Sequence, residues 1–421
     1  MSNNKKEKAS RRTFLQKAAA GATGLISGAA LSQANVSSDS QVLGTDPFKS
    51  MKVPGTPVGS NLYGVPSKYE RAAVRHLRPA DKQYLSSSSR TPLQELDGII
   101  TPNGLFYERH HNGIPTIDPA EHKLMLHGLV ERALVFTLDD LRRFPSESKI
   151  YFLECSGNPD YKVFGKTAAE ANGLVSCAEW TGVKLKTVLQ EAGVKSSAKW
   201  IIAEGADGAG LNRSIPIEKC LDDALLVYSQ NGERLRPEQG YPLRLFLPGF
   251  EGNMSVKWLR RLEVSDIALH SREETSKYTD LYPDGKAREF SFVMEAKSII
   301  TRPSGQQKLA QKGFHEISGI AWSGRGKIAR VEVSVDDGRT WSVAQLQSPV
   351  LDKALTRFRL PWTWDGSSAV ILSRAIDETG YVQPSLEDLV KTRGVNSVYH
   401  NNAITKWKIS ENGEVTNARL S

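Results

Sequence analysis

The stretch Tyr151–Tyr161, YFLECSGNPDY, runs apolar and aromatic residues into one cysteine and then into a Ser-Gly-Asn-Pro turn. A free cysteine is most often a small buried apolar side chain. Cys155 differs because the turn Ser156-Gly157-Asn158-Pro159 puts it at the end of an element, where a loop exposes side chains. Gly157 lets backbone approach a ligand closely. A thiolate at such a place is either a soft anionic metal ligand or a nucleophile. The other cysteines, Cys177 and Cys220, are far from it in sequence, and three is an odd number, so at least one thiol stays unpaired or binds something. No C-x-x-C, C-x-x-C-H or H-E-x-x-H occurs, which disfavours a covalent haem or a conventional zinc site.

The elements that must position Cys155 are short. HKLMLHGLV is a strand candidate, and FTLDDLRRFP a helix opened by Thr137 with Asp139 and Asp140 in its first turn. VKLKTVLQEAGV is an amphipathic helix ended by Gly193. KWIIAEGADG is a strand closed by a turn, and DDALLVYSQNGERL a strand running into an Asn231-Gly232 hairpin. There is no repeating βαβ period and no G-x-G-x-x-G, so the region over 93–270 reads as an α+β domain. Beyond it the texture changes. IARVEVSVDDGRTWSVAQL alternates strictly and turns at Asp337-Gly338, and further alternating runs follow with no convincing long helix, the pattern of a β-sandwich over 291–421. Residues 271–290, charged and containing Pro283, read as a surface connection, long enough to be functional.

The chain has 421 residues, 39% hydrophobic and 24% charged, with a formal net charge of +8. That is enough for two or three domains with large cores. Basic residues intersperse with acidic ones and form no stripe with aromatics, so nucleic acid is a poor partner. The N-terminus is a separate case. SRRTFLQK, with Arg11 and Arg12 followed by Phe14 and Leu15, opens an apolar Gly/Ala-rich stretch that ends in small residues. This is the layout of a twin-arginine export signal over 1–34, too short and too rich in Gly and Ala for a membrane span. It predicts a periplasmic protein exported already folded. Residues 35–92 read as an extended arm or linker.

Several blocks, in order, resemble the sulfite oxidase family of molybdenum-cofactor proteins: FYERHHNGIP, LECSGN (for the family's Leu-Gln-Cys-Ala-Gly-Asn), SCAEWTGVKLKTVL, EGADG…SIP, GYPLRLFLPGFEGNMSVKWLRRLEV, IAWSGRGKIARVEVSVDDGRTW and RAIDETGYVQP. The resemblance implies a molybdopterin-binding α+β domain followed by an immunoglobulin-like dimerisation domain. It implies a molybdenum–molybdopterin cofactor, with no haem in this chain, and an oxidoreductase acting on sulfur groups. Carried over block by block, Cys155 is the thiolate on molybdenum. Tyr107, Glu108, Arg109, His110, His111, Asp207, Gln239, Arg244, Ser255, Val256 and Lys257 are the cofactor-binding candidates. Arg and Lys suit a phosphate, and Asp and backbone groups suit a pterin ring. Tyr278 and Arg393 fall where the family keeps an active-site tyrosine and a substrate-pocket arginine.

Departures from the family pattern bear on the substrate. Sulfite-oxidising members follow their cysteine motif with Arg-Arg, where this chain has Pro159 and Asp160. Replacing one arginine by aspartate changes the local charge by about two units and weakens the hold on a small dianion. Gln239 stands where the family often has a cofactor-contacting His, and Cys177 and Glu179 replace Asn and Arg ahead of Trp180. The cofactor grip is kept while the small-anion grip is loosened. This combination is similar to the sulfane-oxidising branch of the family. It implies a substrate sulfur borne on a carrier-protein cysteine, a c-type cytochrome as electron acceptor, and a homodimer within a heterotetramer. Oxidation of free sulfite is the alternative; a scaffold that has lost catalysis is a third reading.

Overall fold

Thr137 and Asp140 show how locally this fold is written. In the computed structural model the Thr137 Oγ1 accepts from Asp140 N at 3.2 Å, and Asp140 Oδ2 accepts from Thr137 N at 2.9 Å, a capping box that opens the helix Leu138–Arg142. The helix Leu185–Ala192 buries Leu185, Val188, Leu189 and Ala192 on one face and stops at Gly193, whose φ of 69° is left-handed. Asn231 and Gly232 (φ 49° and 80°) make the tight turn between Leu225–Gln230 and Glu233–Arg234. Asp337 and Gly338 (φ 62° and 85°) turn the chain in the second half. The structure describes residues 54, 62–70, 73–78, 84–159 and 165–420. The export signal, most of the arm and Asp160 lie outside the described residues.

The first half has two five-stranded sheets. One runs Glu233–Arg234, Leu225–Gln230, Val175–Lys184, Ser146–Glu154, with Arg244–Phe246 also pairing Leu225–Gln230. The other runs Leu134–Phe136, Leu124–Gly128, Leu259–Ser265, Trp200–Gly205, Asn212–Pro216, with Leu124–Gly128 and Leu259–Ser265 parallel. A small sheet of His76–Leu77, Ser87–Arg90 and Glu108–His110 brings the FYERHHN block alongside. The second half is a sandwich of a four-stranded and a five-stranded sheet around Trp322, Phe358, Ile371 and Trp407. Phe152, Val175 and Cys177 of the first half join that same core, so the apolar interior runs from one half into the other. The whole is mixed and mostly strand, the α+β domain with β-sandwich that the sequence predicts.

Two expectations change in detail. Ile328–Ser334 does not alternate strictly: its register on Ala369–Asp377 shifts between Ile328 and Arg330, leaving Ala329 and Arg330 both exposed. Residues 271–290 are not merely a surface connection. Ser271 caps the helix Arg272–Ser276 with Glu274, and Glu273, Glu274, Tyr278 and Asp280 are all buried.

Candidate functional site

The strand Ser146–Glu154, at one end of the first sheet's order, ends one residue before Cys155. Cys155 N donates to Leu174 O at 3.0 Å, and Asn158 N closes the turn on Cys155 O at 3.0 Å. The thiol is thereby left half-buried on the wall of a cavity that opens to solvent. Burial pushes the thiol up, partly opposed by the Gly157 N–H and Arg109. Cys177 and Cys220 are fully buried, and burial pushes the Cys177 thiol to about 12. They pack in the core and do not face the site.

Nearly every predicted site residue lines this cavity: Tyr107, Glu108, Arg109, His110, His111, Asp207, Gln239, Arg244, Ser255, Lys257 and Tyr278, with Cys155. Val256 does not; its side chain points into the apolar core with Leu243 and Leu259, because it alternates with Ser255 and Lys257. Arg393 does not either. It donates to His400 O at 2.7 Å, pairs with Glu295 at 3.2 Å, and lines a separate small hollow with Leu386 and Tyr399. Glu238, Gly252, Asn253 and Trp258 line the cavity and were not singled out in sequence, although all fall within quoted blocks or beside them. At Gly252 a Cβ would meet Glu154 O and Tyr107 Oη, each at 2.8 Å, so only glycine fits between the Cys155 strand and the Tyr107 ring.

The wall carries three cations, Arg244 buried and Arg109 and Lys257 partly so. Lys257 Nζ donates to Arg109 O (3.1 Å), His110 Nδ1 (2.8 Å) and Glu238 O (3.1 Å). Burial, with Arg244 nearby, pushes its ammonium well down. Because Nδ1 of His110 accepts, Nε2 carries the proton and donates to Glu108 Oε2 at 2.9 Å. Burial and Lys257 hold that imidazole neutral, at about 3. Arg244 donates to Ser255 O at 3.1 Å and Gln239 O at 3.2 Å, and burial brings it down to about 10. Gln239 Nε2 donates to Tyr107 O at 3.0 Å. Burial and Arg109 lower His111 to about 4, and its Nε2 meets the Tyr278 hydroxyl at 3.1 Å. Burial pushes the Tyr278 phenol up, so it stays a protonated donor at neutral pH.

Arg109, Arg244 and Lys257 crowd one cavity, and burial disfavours the charged forms of Arg244 and Lys257, so the wall fits an anionic guest. Asp207 and the neutral histidines add acceptors and donors of the kind a pterin ring uses. Among the described residues no cluster of three or more His, Cys, Asp or Glu is arranged to hold an ion, so a metal here would come within an organic cofactor, next to one thiolate.

A fold of this kind, with such a cavity, defines a molybdenum-cofactor enzyme, and comparison with known proteins agrees. Residues 111–272 match the oxidoreductase molybdopterin binding domain, and 288–407 the Mo-co oxidoreductase dimerisation domain. The chain belongs to the sulfite oxidase family of molybdopterin oxidoreductases; its cofactor is molybdenum–molybdopterin, and it is an oxidoreductase acting on sulfur groups. It is 32% identical to chicken (Gallus gallus) sulfite oxidase over 331 residues, 71% of each chain. It is 31% identical to mouse (Mus musculus) mitochondrial sulfite oxidase over 72% of this chain, and spans 60% of that enzyme's length. The crystal structure of the sulfane dehydrogenase SoxCD from Paracoccus pantotrophus superposes with a TM-score of 0.86 and 46% identity, over 89% of this chain and 97% of that one.

Proposed function

We propose that this chain is the molybdenum subunit, SoxC, of a sulfane dehydrogenase, oxidising sulfane sulfur held on a cysteine of a carrier protein and passing electrons to a c-type cytochrome subunit. The observation that carries this reading is the likeness to SoxCD at 46% identity across 97% of that chain. It is supported by Pro159, which stands at the cavity's thiol loop where sulfite-oxidising members have arginine. The match to the dimerisation domain supports a homodimer, which with the cytochrome makes a heterotetramer. The twin-arginine motif supports a periplasmic location. Among the described residues no helix is long and apolar enough to cross a membrane.

In this reading Cys155 is the protein's ligand to molybdenum. Arg109, Arg244 and Lys257 hold the cofactor's anionic end, and Asp207, Gln239 and backbone groups of 107–111 hold its ring. The cofactor held there would supply oxygen-atom transfer to sulfur with uptake of an electron pair. The chain's own groups do the rest. Tyr278 keeps its proton and presents a donor beside the thiol. His111, held neutral, donates from Nε2 to the Tyr278 oxygen and so leaves the phenol's own proton free to face the cavity. Pro159 and Asp160 in place of an arginine pair remove two cations from the sequence that follows the thiol, which favours a substrate delivered on a peptide arm over a free dianion.

The test is turnover of purified enzyme with an artificial electron acceptor. The reading expects brisk oxidation of carrier-bound sulfane sulfur and poor oxidation of free sulfite. Fast sulfite turnover without a carrier overturns it in favour of a periplasmic sulfite dehydrogenase, and absence of molybdenum and pterin would leave only a scaffold.

A further inference from the structure

Cys155 is gripped on both sides, and much of the grip comes from the second half of the chain. On the strand side, Glu154 is fully buried and pairs with Lys297, also buried, whose Nζ donates to Glu154 Oε1 and to Asn158 O, each at 2.5 Å. Trp322 Nε1 donates to Glu154 Oε2 at 2.6 Å, and Asn158 Nδ2 to Glu154 Oε1 at 3.0 Å. The family segment that LECSGN resembles has a neutral glutamine where this chain has Glu154. On the turn side, Ser156 O accepts from His400 N at 2.8 Å, and Ser156 Oγ accepts from Asn253 Nδ2 at 3.2 Å. These two anchors are themselves joined. Asn253 Oδ1 accepts from Arg213; Arg213 donates to Glu251 Oε1 at 3.2 Å; Glu251 Oε2 accepts from His400 Nε2 at 2.8 Å. Hydrogen bonds thus close a circuit Ser156–Asn253–Arg213–Glu251–His400–Ser156 directly behind the thiol. Arg213 also lies 4.7 Å from the Tyr278 ring.

We propose that Lys297 and His400 are positioning residues for Cys155, so that the domain matched as a dimerisation domain sets the angle at which the thiol enters the cavity. The proposal rests on Cys155 as the molybdenum ligand. Both residues lie within 288–407, and neither lines the cavity. They act through Glu154, Asn158 and Ser156. Displacing a reacting group by about 1 Å can cost about a hundredfold in rate.

The test combines amide exchange over 151–159, read by mass spectrometry on the cofactor-loaded chain, with turnover per molybdenum and the Mo(V) electron paramagnetic resonance signal. Lys297→Met and His400→Gln should each speed exchange at the Cys155 and Asn158 amides about tenfold, shift that signal, and lower kcat about tenfold with KM within about twofold. Leu141→Ala, a cavity in a core that no residue of 151–159 joins, should destabilise the chain while leaving all of these at wild-type values. Should Lys297→Met not fold, the double variant Glu154→Gln/Lys297→Met has no unpaired buried charge; it still lacks the anchor on Asn158 O, so its exchange should stay fast. Unchanged exchange over 151–159 in that double variant and in His400→Gln overturns the proposal. So does faster exchange with an unchanged signal and unchanged kcat. Exchange reads the loop whether or not Cys155 is the ligand, whereas full activity in Cys155→Ser would overturn the ligand assignment itself.

Discussion

His400 should make the stability of this protein fall between pH 6.5 and 9, and His400→Gln should abolish that fall. Both ring nitrogens face acceptors: Nε2 meets Glu251 Oε2 at 2.8 Å, and Nδ1 meets Val293 O at 3.0 Å. A ring that donates on both sides is an imidazolium. Burial opposes the charge, but Glu251, with Glu295 behind it, outweighs burial and raises His400 to about 9. An unfolded histidine titrates near 6.5. The gap of about 2.5 pH units, at about 1.4 kcal/mol each, is about 3 kcal/mol. Because the folded value lies above the unfolded one, this contribution is complete below pH 6.5 and is lost as pH rises through 9. His110 and His111 are depressed, so their effect has the opposite sign and ends by about pH 6.5. Cys177 is raised to about 12, so its effect begins only above its ordinary value of 9.0. Lys257, pushed down, titrates alike in both proteins and cancels in their difference. For 421 residues, about 3 kcal/mol corresponds to about 4 °C in Tm. Thermal melts at pH 6 and pH 9.5 should show the wild type above His400→Gln by several degrees more at the lower pH. An equal gap at both values would mean that His400 is neutral, and the circuit behind Cys155 would lose its charge.

Arg213→Met leaves Glu251 and Glu274 facing each other in the interior without their shared cation, which should lower stability by about 4 kcal/mol in a denaturant melt; a loss under about 1 kcal/mol would show that the pairing is not needed. Cys155→Ser should abolish turnover while shifting Tm by no more than about 2 °C, since the thiol is half-buried and bonds nothing that holds the core; activity above about a tenth of wild type speaks against the ligand role. Lys257→Met strands the acceptors Arg109 O, His110 Nδ1 and Glu238 O and removes a cation from the cavity, so pterin and molybdenum should co-purify at well below one per chain. Full occupancy in that variant would move the cofactor's anionic end elsewhere.

What was legible in sequence was what is local. Thr137, Gly193 and Asn231-Gly232 carry their own backbone signals, and the elements end where those residues stand. The cavity wall was legible because 107–111 and 255–257 each arrive as one consecutive block, although strand alternation turns Val256 away from it. The slip between Ile328 and Arg330 was hidden, because a bulge is decided by the partner strand and leaves composition unchanged. The ion circuit was hidden for the same kind of reason. Arg213 and Glu251 are 38 residues apart and Glu251 and His400 149, and each taken alone reads as an ordinary surface charge. Arg393 was read as reaching the substrate pocket, but the structure places it on Glu295, one ion pair removed from His400.

That placement bears on why the interior between the halves is ionic at all. Arg213, His400 and Arg393 face Glu251, Glu274 and Glu295, and Arg325 reaches Glu295 at 3.8 Å from the rim, so every carboxylate of the cluster has a cation. Glu295 is accordingly drawn down to about 2: burial would raise it, and His400 with Arg393 prevails. Well-packed apolar side chains would give such an interface equal or greater stability, because the charges must first be stripped of water. They would not give it a register. An apolar contact tolerates a slide of one element past another, whereas Ser156, Asn253, Glu251 and His400 close their circuit in one arrangement only. A site whose chemistry depends on the direction of a single Cys155 Cβ–Sγ bond gains from that intolerance, and the positive φ of Tyr278 (54°) and His400 (54°), both beside the circuit, shows backbone held where it would not settle alone.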